Sequence, residues 1–279
     1  MNVRKVNYTK KDAPHEFTKS LKQTGFSILT NHPIKKDLID RVYLEWKGFF
    51  NSSFKDKYLF DPIKQDGYFP FLTENAKDHS LKDLKEFYHI YPWGRYPAEI
   101  SDATKVLYNQ LLELTSTLLD WIQEETPEKV KSNFSVPLDQ MIIDSKTNLL
   151  RIIHYPPLDG NEKDGAIRGA AHEDINLITV LVAGTQPGLQ VKDINESWHD
   201  ISCDPGCLAI NTGDMLQEAS DGYFPSTTHQ IINPRDNTEN VSRFSMPLFL
   251  HPRDSIKLSA KYTAREYLDE RLTEIGLKG

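Results

Sequence analysis

The stretch His172-Glu173-Asp174-Ile175-Asn176-Leu177-Ile178-Thr179-Val180-Leu181-Val182 decides how the chain is read. From Asp174 onward it is short, apolar and β-branched, the composition of a buried strand. Side chains alternate faces along a strand, so residues two apart share one. His172 and Asp174 are expected to point the same way from one strand edge, with Glu173 turned away. The helical zinc-protease pattern His-Glu-x-x-His fails here, because position 176 is Asn.

Downstream, His229 lies in Ser226-Thr227-Thr228-His229-Gln230-Ile231-Ile232-Asn233-Pro234, a second strand-like run ended by Asn-Pro. A distal strand can bring a third ligand to the first two only if the sheets fold over each other. Two imidazoles and one carboxylate on one face leave coordination positions open, the ligand set of a non-haem Fe(II) oxygenase. Zinc accepts the same donors, so a zinc hydrolase competes at this point. Each fragment alone is weak: His-x-Asp is common, and an isolated strand histidine is usually a satisfied core residue.

Further on, Arg243-Phe244-Ser245-Met246-Pro247-Leu248-Phe249-Leu250 reads as another strand. Arg243 and Ser245 share a face. A guanidinium forks onto a carboxylate through two charge-assisted bonds, and a hydroxyl can donate a third. A buried arginine is unfavourable without an anionic partner. Downstream of the three candidate ligands, the pair suits a carboxylate-bearing co-substrate.

Around these strands the chain divides by periodicity. Residues 1–140 read as mainly helical with an early strand. Ala13 through Thr24 and Lys35 through Phe50 are candidate helices, and Asp102 through Ile122 repeats Val106, Leu107, Leu111, Leu114, Leu118, Leu119 and Ile122 at helical spacing. Residues 146–252 switch to short strands and turns, and 264–277 return to a C-terminal helix. With 279 residues and no linker-like segment, one domain spanning 1–279 with a sizeable core is expected. The net charge of −7 argues against a nucleic-acid backbone as partner. Cys203 and Cys207 flank Pro205-Gly206 and read as free thiols. No run is long enough to span a bilayer and no apolar signal core opens the chain, so a cytoplasmic protein without a membrane partner is expected.

The aromatic, loop-rich stretch Asp66 through Pro97 supplies candidate substrate contacts in Tyr68, Glu74 and Lys77; Phe249 is a further candidate. Arg168 precedes His172 by four residues. If the strand begins that early it shares the ligand face and could hold an acidic group of the substrate; if Gly169 breaks the strand, Arg168 is a surface residue. His15, His32, His79, His89, His154, His199 and His251 read as structural or surface histidines.

Other segments carry a resemblance. Gly25-Phe26-Ser27-Ile28-Leu29-Thr30-Asn31-His32-Pro33-Ile34, Phe49-Phe50 with Lys55-Asp56-Lys57, and Leu150-Arg151-Ile152-Ile153-His154-Tyr155-Pro156-Pro157 are three of them. Pro187-Gly188-Leu189-Gln190-Val191, Trp198, Asn211-Thr212-Gly213-Asp214-Met215-Leu216-Gln217 and Tyr223-Phe224-Pro225-Ser226-Thr227-Thr228-His229 follow. Taken with the ligand residues, nearly the whole chain resembles the isopenicillin N synthase-like family of Fe(II)/2-oxoglutarate dioxygenases, its bacterial members most of all. The resemblance implies an all-β core with flanking helices (α+β): a double-stranded β-helix, or jelly-roll variant, with the metal in its mouth. It implies His172, Asp174 and His229 as catalytic iron ligands, and Arg243 and Ser245 on the distal carboxylate of 2-oxoglutarate, with the Tyr155 hydroxyl nearby. Two positions depart from the pattern. Ile153 stands where many relatives have Asn, and Gln230 where many have Arg.

The implied reaction couples oxidative decarboxylation of 2-oxoglutarate, with O2, to hydroxylation, desaturation or ring closure of a small molecule. An amino-acid derivative or other polar metabolite is the expected substrate. An oxidase of the same fold that needs no 2-oxoglutarate, with Arg243 and Ser245 on the substrate's own carboxylate, is the nearest alternative. A non-catalytic cupin-like metal-binding module is the more distant one.

Overall fold

The β-branched run forms a central strand, but only from Ile178 to Val182. The structure is a computed structural model that describes residues 1–74, 81–202, 204–235 and 240–274. In chain order the strands are β1 Lys5–Asn7, β2 Phe26–Thr30, β3 Gly67–Phe69, β4 Glu86–Ile90, β5 Leu149–Tyr155 and β6 Gly169–His172. They continue as β7 Ile178–Val182, β8 Leu189–Lys192, β9 Trp198–Asp200, β10 Leu208–Thr212, β11 His229–Ile231 and β12 Arg243–Leu250. The helices are α1 Ala13–Thr24, α2 Lys36–Phe50, α3 Ala103–Glu125, α4 Glu128–Lys131, α5 Leu138–Ile142, α6 Asp214–Ala219 and α7 Ala264–Glu274.

Two sheets face each other. The larger runs β1-β2-β10-β7-β12-β5-β4-β3, and the smaller β6-β11-β8-β9. Strand alternation splits the larger sheet into two faces. Leu150, Ile152, Val180, Phe244, Met246 and Leu248 belong to the core shared with the helices, where they meet Trp46, Phe49, Leu111 and Leu118. Ile153, Tyr155, Phe87 and Ala209 point the other way and form a smaller cluster with Leu189 and Ile231 of the second sheet. Each fully buried large apolar side chain contributes about 1.5–3 kcal/mol, so the helix-side core dominates stability and leaves the inter-sheet space free for polar groups. This is the jelly-roll core with flanking helices that the sequence implied.

Several expectations shift in detail. The stretch Asp66 through Pro97 is not only loop, since β3 and β4 within it extend the larger sheet beside β5. In α3 the periodic leucines are buried, whereas Val106 is 45% exposed and falls outside the stripe. The C-terminal helix is seen to Glu274, and the expected continuation to 277 lies outside the described residues. So do Cys203, His79 and Lys77. Cys207 is a free, buried thiol.

Candidate active site

His172 is the last residue of β6 and His229 the first of β11. These strands pair antiparallel with the two histidines directly opposite. The imidazoles therefore come from neighbouring strands of one sheet, not from sheets folded over each other. Asp174 is not on the strand of His172, as alternation suggested. It lies on the segment that leaves the small sheet for β7. That segment is turned by Asn176, whose side chain donates to the Ile178 carbonyl and to Thr179 Oγ1 at 3.1 and 2.9 Å. It is also held by the start of α6, where Asp214 N donates to the Asp174 carbonyl at 2.7 Å. A local β-run could not pair there because its backbone groups are taken by this turn.

The three side chains converge nonetheless. One ligand atom from each of His172, Asp174 and His229 lies within 4.8 Å of the others, with Asp174 Oδ1 at 3.8 and 3.9 Å from the two Nε2 atoms. Each Nδ1 is held by a backbone carbonyl, Ala170 for His172 at 2.8 Å and Thr227 for His229 at 3.1 Å. With Nδ1 as the donor, Nε2 is left as a free lone pair aimed at the common centre, which is how second-shell bonds set a ligating tautomer. Burial, and then His229, push the His172 imidazole down to about 4, so it is neutral near pH 7. Asp174 Oδ2 accepts from Thr179 Oγ1 and Asn211 Nδ2 at 2.6 and 2.8 Å, which leaves Oδ1 for the centre. Burial would raise its pKa; the two imidazoles and these donors outweigh it and keep it below the ordinary carboxylate range. The donor set fits a divalent transition metal with open positions.

Gly25 braces the His229 side. It caps α1 with φ of +68°, and a Cβ there would lie 2.2 Å from Thr227 Oγ1, so the chain carrying the Thr227 carbonyl packs against bare backbone.

Arg243 and Ser245 share the inner face of β12 and are both buried. Arg243 sits opposite Tyr155 of β5, with its guanidinium carbon 5.1 Å from the Tyr155 ring centroid. Its Nε donates to the Gln186 and Pro187 carbonyls at 3.1 and 3.2 Å, while Nη1 is buried without a partner. The guanidinium lies against Gly184, where a Cβ would be 2.7 Å from Nη2. Arg243 lines an inner cavity of about 420 Å3.

A second cavity of about 530 Å3 opens over His172 and Asp174. Phe249 and Glu74, two of the candidate substrate contacts, line it. Tyr68 does not: it faces the helix-side core and donates its hydroxyl to Glu86. Alternation along β3 turns Phe69, not Tyr68, inward. Arg168 is neither at the surface nor at this mouth; it is 2% exposed and lines the inner cavity with Arg243. His89 and His251, read as structural or surface residues, line the mouth.

The residues that sequence reasoning passed over are Arg151, Lys85 and Asp83. Arg151 holds Glu74 at 3.1 and 3.3 Å, and Lys85 holds Glu74 at 2.7 Å and Asp83 at 2.8 Å. Burial would raise Glu74, but Arg151 and Lys85 outweigh it and hold it well below the usual range. Burial would lower Lys85, but Glu74 and Asp83 bring it to about 12. Arg151 was legible in principle, because it shares the inward face of β5 with Tyr155. Asp83 and Lys85 are only two residues apart and pair locally, but their contacts with Glu74 and with the Ala170 amide depend on a loop crossing that no local pattern encodes.

The 2OG-Fe(II) oxygenase superfamily pattern matches residues 146–252, and an N-terminal pattern described for non-haem dioxygenases in morphine synthesis matches 5–111. A solved structure from Shewanella oneidensis described as an oxygenase is 50% identical, covers 99% of both chains and superposes with a TM-score of 0.90. A protein of Caulobacter crescentus assigned to the 2OG-Fe(II) oxygenase family is 30% identical over 98% of this chain and 99% of that one, with a TM-score of 0.82. The chain belongs to the 2OG-Fe(II) oxygenase superfamily. Gibberellin 2-beta-dioxygenase 3 of Arabidopsis thaliana is 26% identical over 269 residues, 91% of this oxygenase and 76% of the plant protein. As a member, this oxygenase is a non-haem enzyme that uses Fe(II), 2-oxoglutarate and O2 and oxidises a small molecule. Among its described residues no helix is long and apolar enough to cross a membrane.

Proposed function

We propose that His172, Asp174 and His229 hold the Fe(II), that Arg243 and Ser245 hold the distal carboxylate of 2-oxoglutarate, and that the mouth takes a small polar, net-neutral or zwitterionic metabolite such as an amino-acid derivative. Bound there, Fe(II) supplies the redox chemistry that couples decarboxylation of 2-oxoglutarate to oxidation of a C–H bond. The protein's own part is positional. Thr179 and Asn211 fix the Asp174 carboxylate, and the Ala170 and Thr227 carbonyls fix the imidazoles. Tyr155 packs on the Arg243 guanidinium and keeps its fork directed inward.

The observation that carries the substrate class is one internally paired cluster on the wall of the mouth, whose lining also includes Glu173, Asp214, Arg271 and Glu274. Two cations, Lys85 and Arg151, face two carboxylates, Glu74 and Asp83, in one paired cluster. An apolar substrate would strip water from these groups without replacing its hydrogen bonds. A strongly anionic one would have to displace Glu74. A molecule with both donors and acceptors satisfies the cluster as it stands, while Phe249, whose ring lies 5.4 Å from the Arg151 guanidinium, presents apolar surface to its body. The test is a screen of neutral, zwitterionic, anionic and apolar candidates read by succinate release with Fe(II) and 2-oxoglutarate. Neutral or zwitterionic polar molecules should stimulate release most above the uncoupled background. Tightest coupling by an apolar acid would overturn the reading.

A further inference from the structure

Arg168 is a second buried cation beside Arg243 that the metal site and the mouth do not use. It precedes β6, yet its guanidinium reaches across to the ends of β5 and β12. Nη2 donates to the Val241 carbonyl at 2.7 Å and the Pro156 carbonyl at 3.3 Å. Val241 is two residues before Arg243, and Pro156 follows Tyr155, the cross-strand partner of Arg243. Both arginines are about 2% exposed, and both line the inner cavity.

Among the described residues no carboxylate lies within ion-pair distance of Arg168 or Arg243. The two acids on the cavity wall are engaged elsewhere, Asp200 with Arg235 and Gln190, and Asp204 with Lys5. Arg168 Nε and Arg243 Nη1 are both buried without a hydrogen-bond partner. Burial, and then the charge of Arg243, hold the Arg168 guanidinium below its usual range. Two like charges desolvated side by side, each with an unused donor, form an arrangement that an incoming anion completes.

We propose that Arg168 is a second guanidinium for the distal carboxylate of 2-oxoglutarate, so that this carboxylate is held between Arg168 and Arg243. The inference rests on the reading of Arg243 as the co-substrate anchor. A carboxylate has about four lone-pair directions across two oxygens, enough to accept from two forks and from Ser245 at once. The second cation makes the site selective for a dicarboxylic over a monocarboxylic 2-oxo acid. Arg168 thus acts on co-substrate choice and not, as the sequence suggested, on the primary substrate.

The test is binding, measured on the anaerobic Fe(II) protein by calorimetry for 2-oxoglutarate and for 2-oxopentanoate, which lacks only the distal carboxylate. Arg168→Met should weaken 2-oxoglutarate about ten- to hundredfold, the size of a lost charge-assisted bond, and leave 2-oxopentanoate within about twofold. Arg168→Lys should fall between, since it keeps the charge and loses the fork. Equal weakening of both acids, or unchanged 2-oxoglutarate binding, would overturn the proposal. Arg243→Met separates the two readings. If it too leaves the preference intact, the anchor assignment itself fails; if it alone abolishes the preference, only the role of Arg168 fails. Should the Arg168 variants not fold, a crystal structure of the wild-type 2-oxoglutarate complex decides. A carboxylate oxygen within hydrogen-bond distance of the Arg168 guanidinium supports the proposal, and contact with Arg243 alone overturns it.

Discussion

The interior of this oxygenase holds two pairs of buried cations that are treated in opposite ways. At the mouth, Lys85 and Arg151 are matched by Glu74 and Asp83. In the inner cavity, Arg168 and Arg243 face each other with carbonyls for company and no carboxylate among the described residues. A chain that places a counter-ion at one site and omits it at the other is not short of acids, with 40 Asp and Glu in the sequence. On the proposed reading, the omission marks where the co-substrate supplies the missing charge, and the matched cluster marks where the substrate brings no net charge. Of the three candidate metal ligands, His172 and Asp174 line the mouth and none lines the cavity of the two arginines.

The comparison can be broken at its centre first. Asp174→Ala removes the one anionic ligand and should abolish measurable iron retention and succinate formation; iron content after gel filtration, with circular dichroism to show the fold intact, checks it. Next in size, Arg243→Met should raise the 2-oxoglutarate concentration needed for half-maximal succinate release by about a hundredfold, as two charge-assisted bonds are lost. Iron content should stay unchanged; loss of both together would mean that the inner cavity and the metal site are not separable.

Asn211→Ala removes one of the two donors to Asp174 Oδ2 and should lower iron affinity about tenfold, as second-shell changes do. A metal-competition titration would read it. Gly184→Ala should push the Arg243 guanidinium aside, because the new Cβ would lie 2.7 and 2.9 Å from its Nη2 and Cζ. A roughly tenfold weaker binding of 2-oxoglutarate, with the mouth untouched, is expected from one misdirected charged bond.

The smallest effect is at the mouth. Glu74→Gln unbalances a mostly buried cluster, so about 1–2 kcal/mol of stability should be lost in urea unfolding at pH 7. Because the folded pKa of Glu74 is depressed, its stabilisation is full above the unfolded carboxylate value and is lost progressively as pH falls from there through the lower folded value. The difference between wild type and variant should therefore hold from pH 7 to 5 and shrink in strong acid. The same variant should shift substrate preference toward acidic molecules.

The candidate site was legible in the sequence to different depths. His172, Asp174, His229, Arg243 and Ser245 were readable because each sits in a distinctive local run, and chemistry limits what such a set is for. The convergence of the first three, which the structure shows, was predicted for partly wrong reasons. His172 and His229 meet as cross-strand neighbours, and Asp174 joins them from a turn held by Asn176 and the start of α6. Tyr68 was misplaced because strand parity within an aromatic-rich segment is invisible until its partner strand is known. Arg168 was misplaced because Gly169 begins the strand, so the residue before it swings toward the ends of β5 and β12.

The sequence by itself determined the periodicities, and with them the helical flank, the run of short strands and the candidate metal and anion donors. Those follow from local rules, in which a residue's neighbours in the chain fix its conformation and its face. Only the tertiary structure decided which charges are compensated. Ion pairing is a short-range interaction between groups far apart in sequence: Arg151 finds Glu74 across 77 positions, while Arg168 and Arg243, which line one cavity, have no carboxylate partner among the described residues.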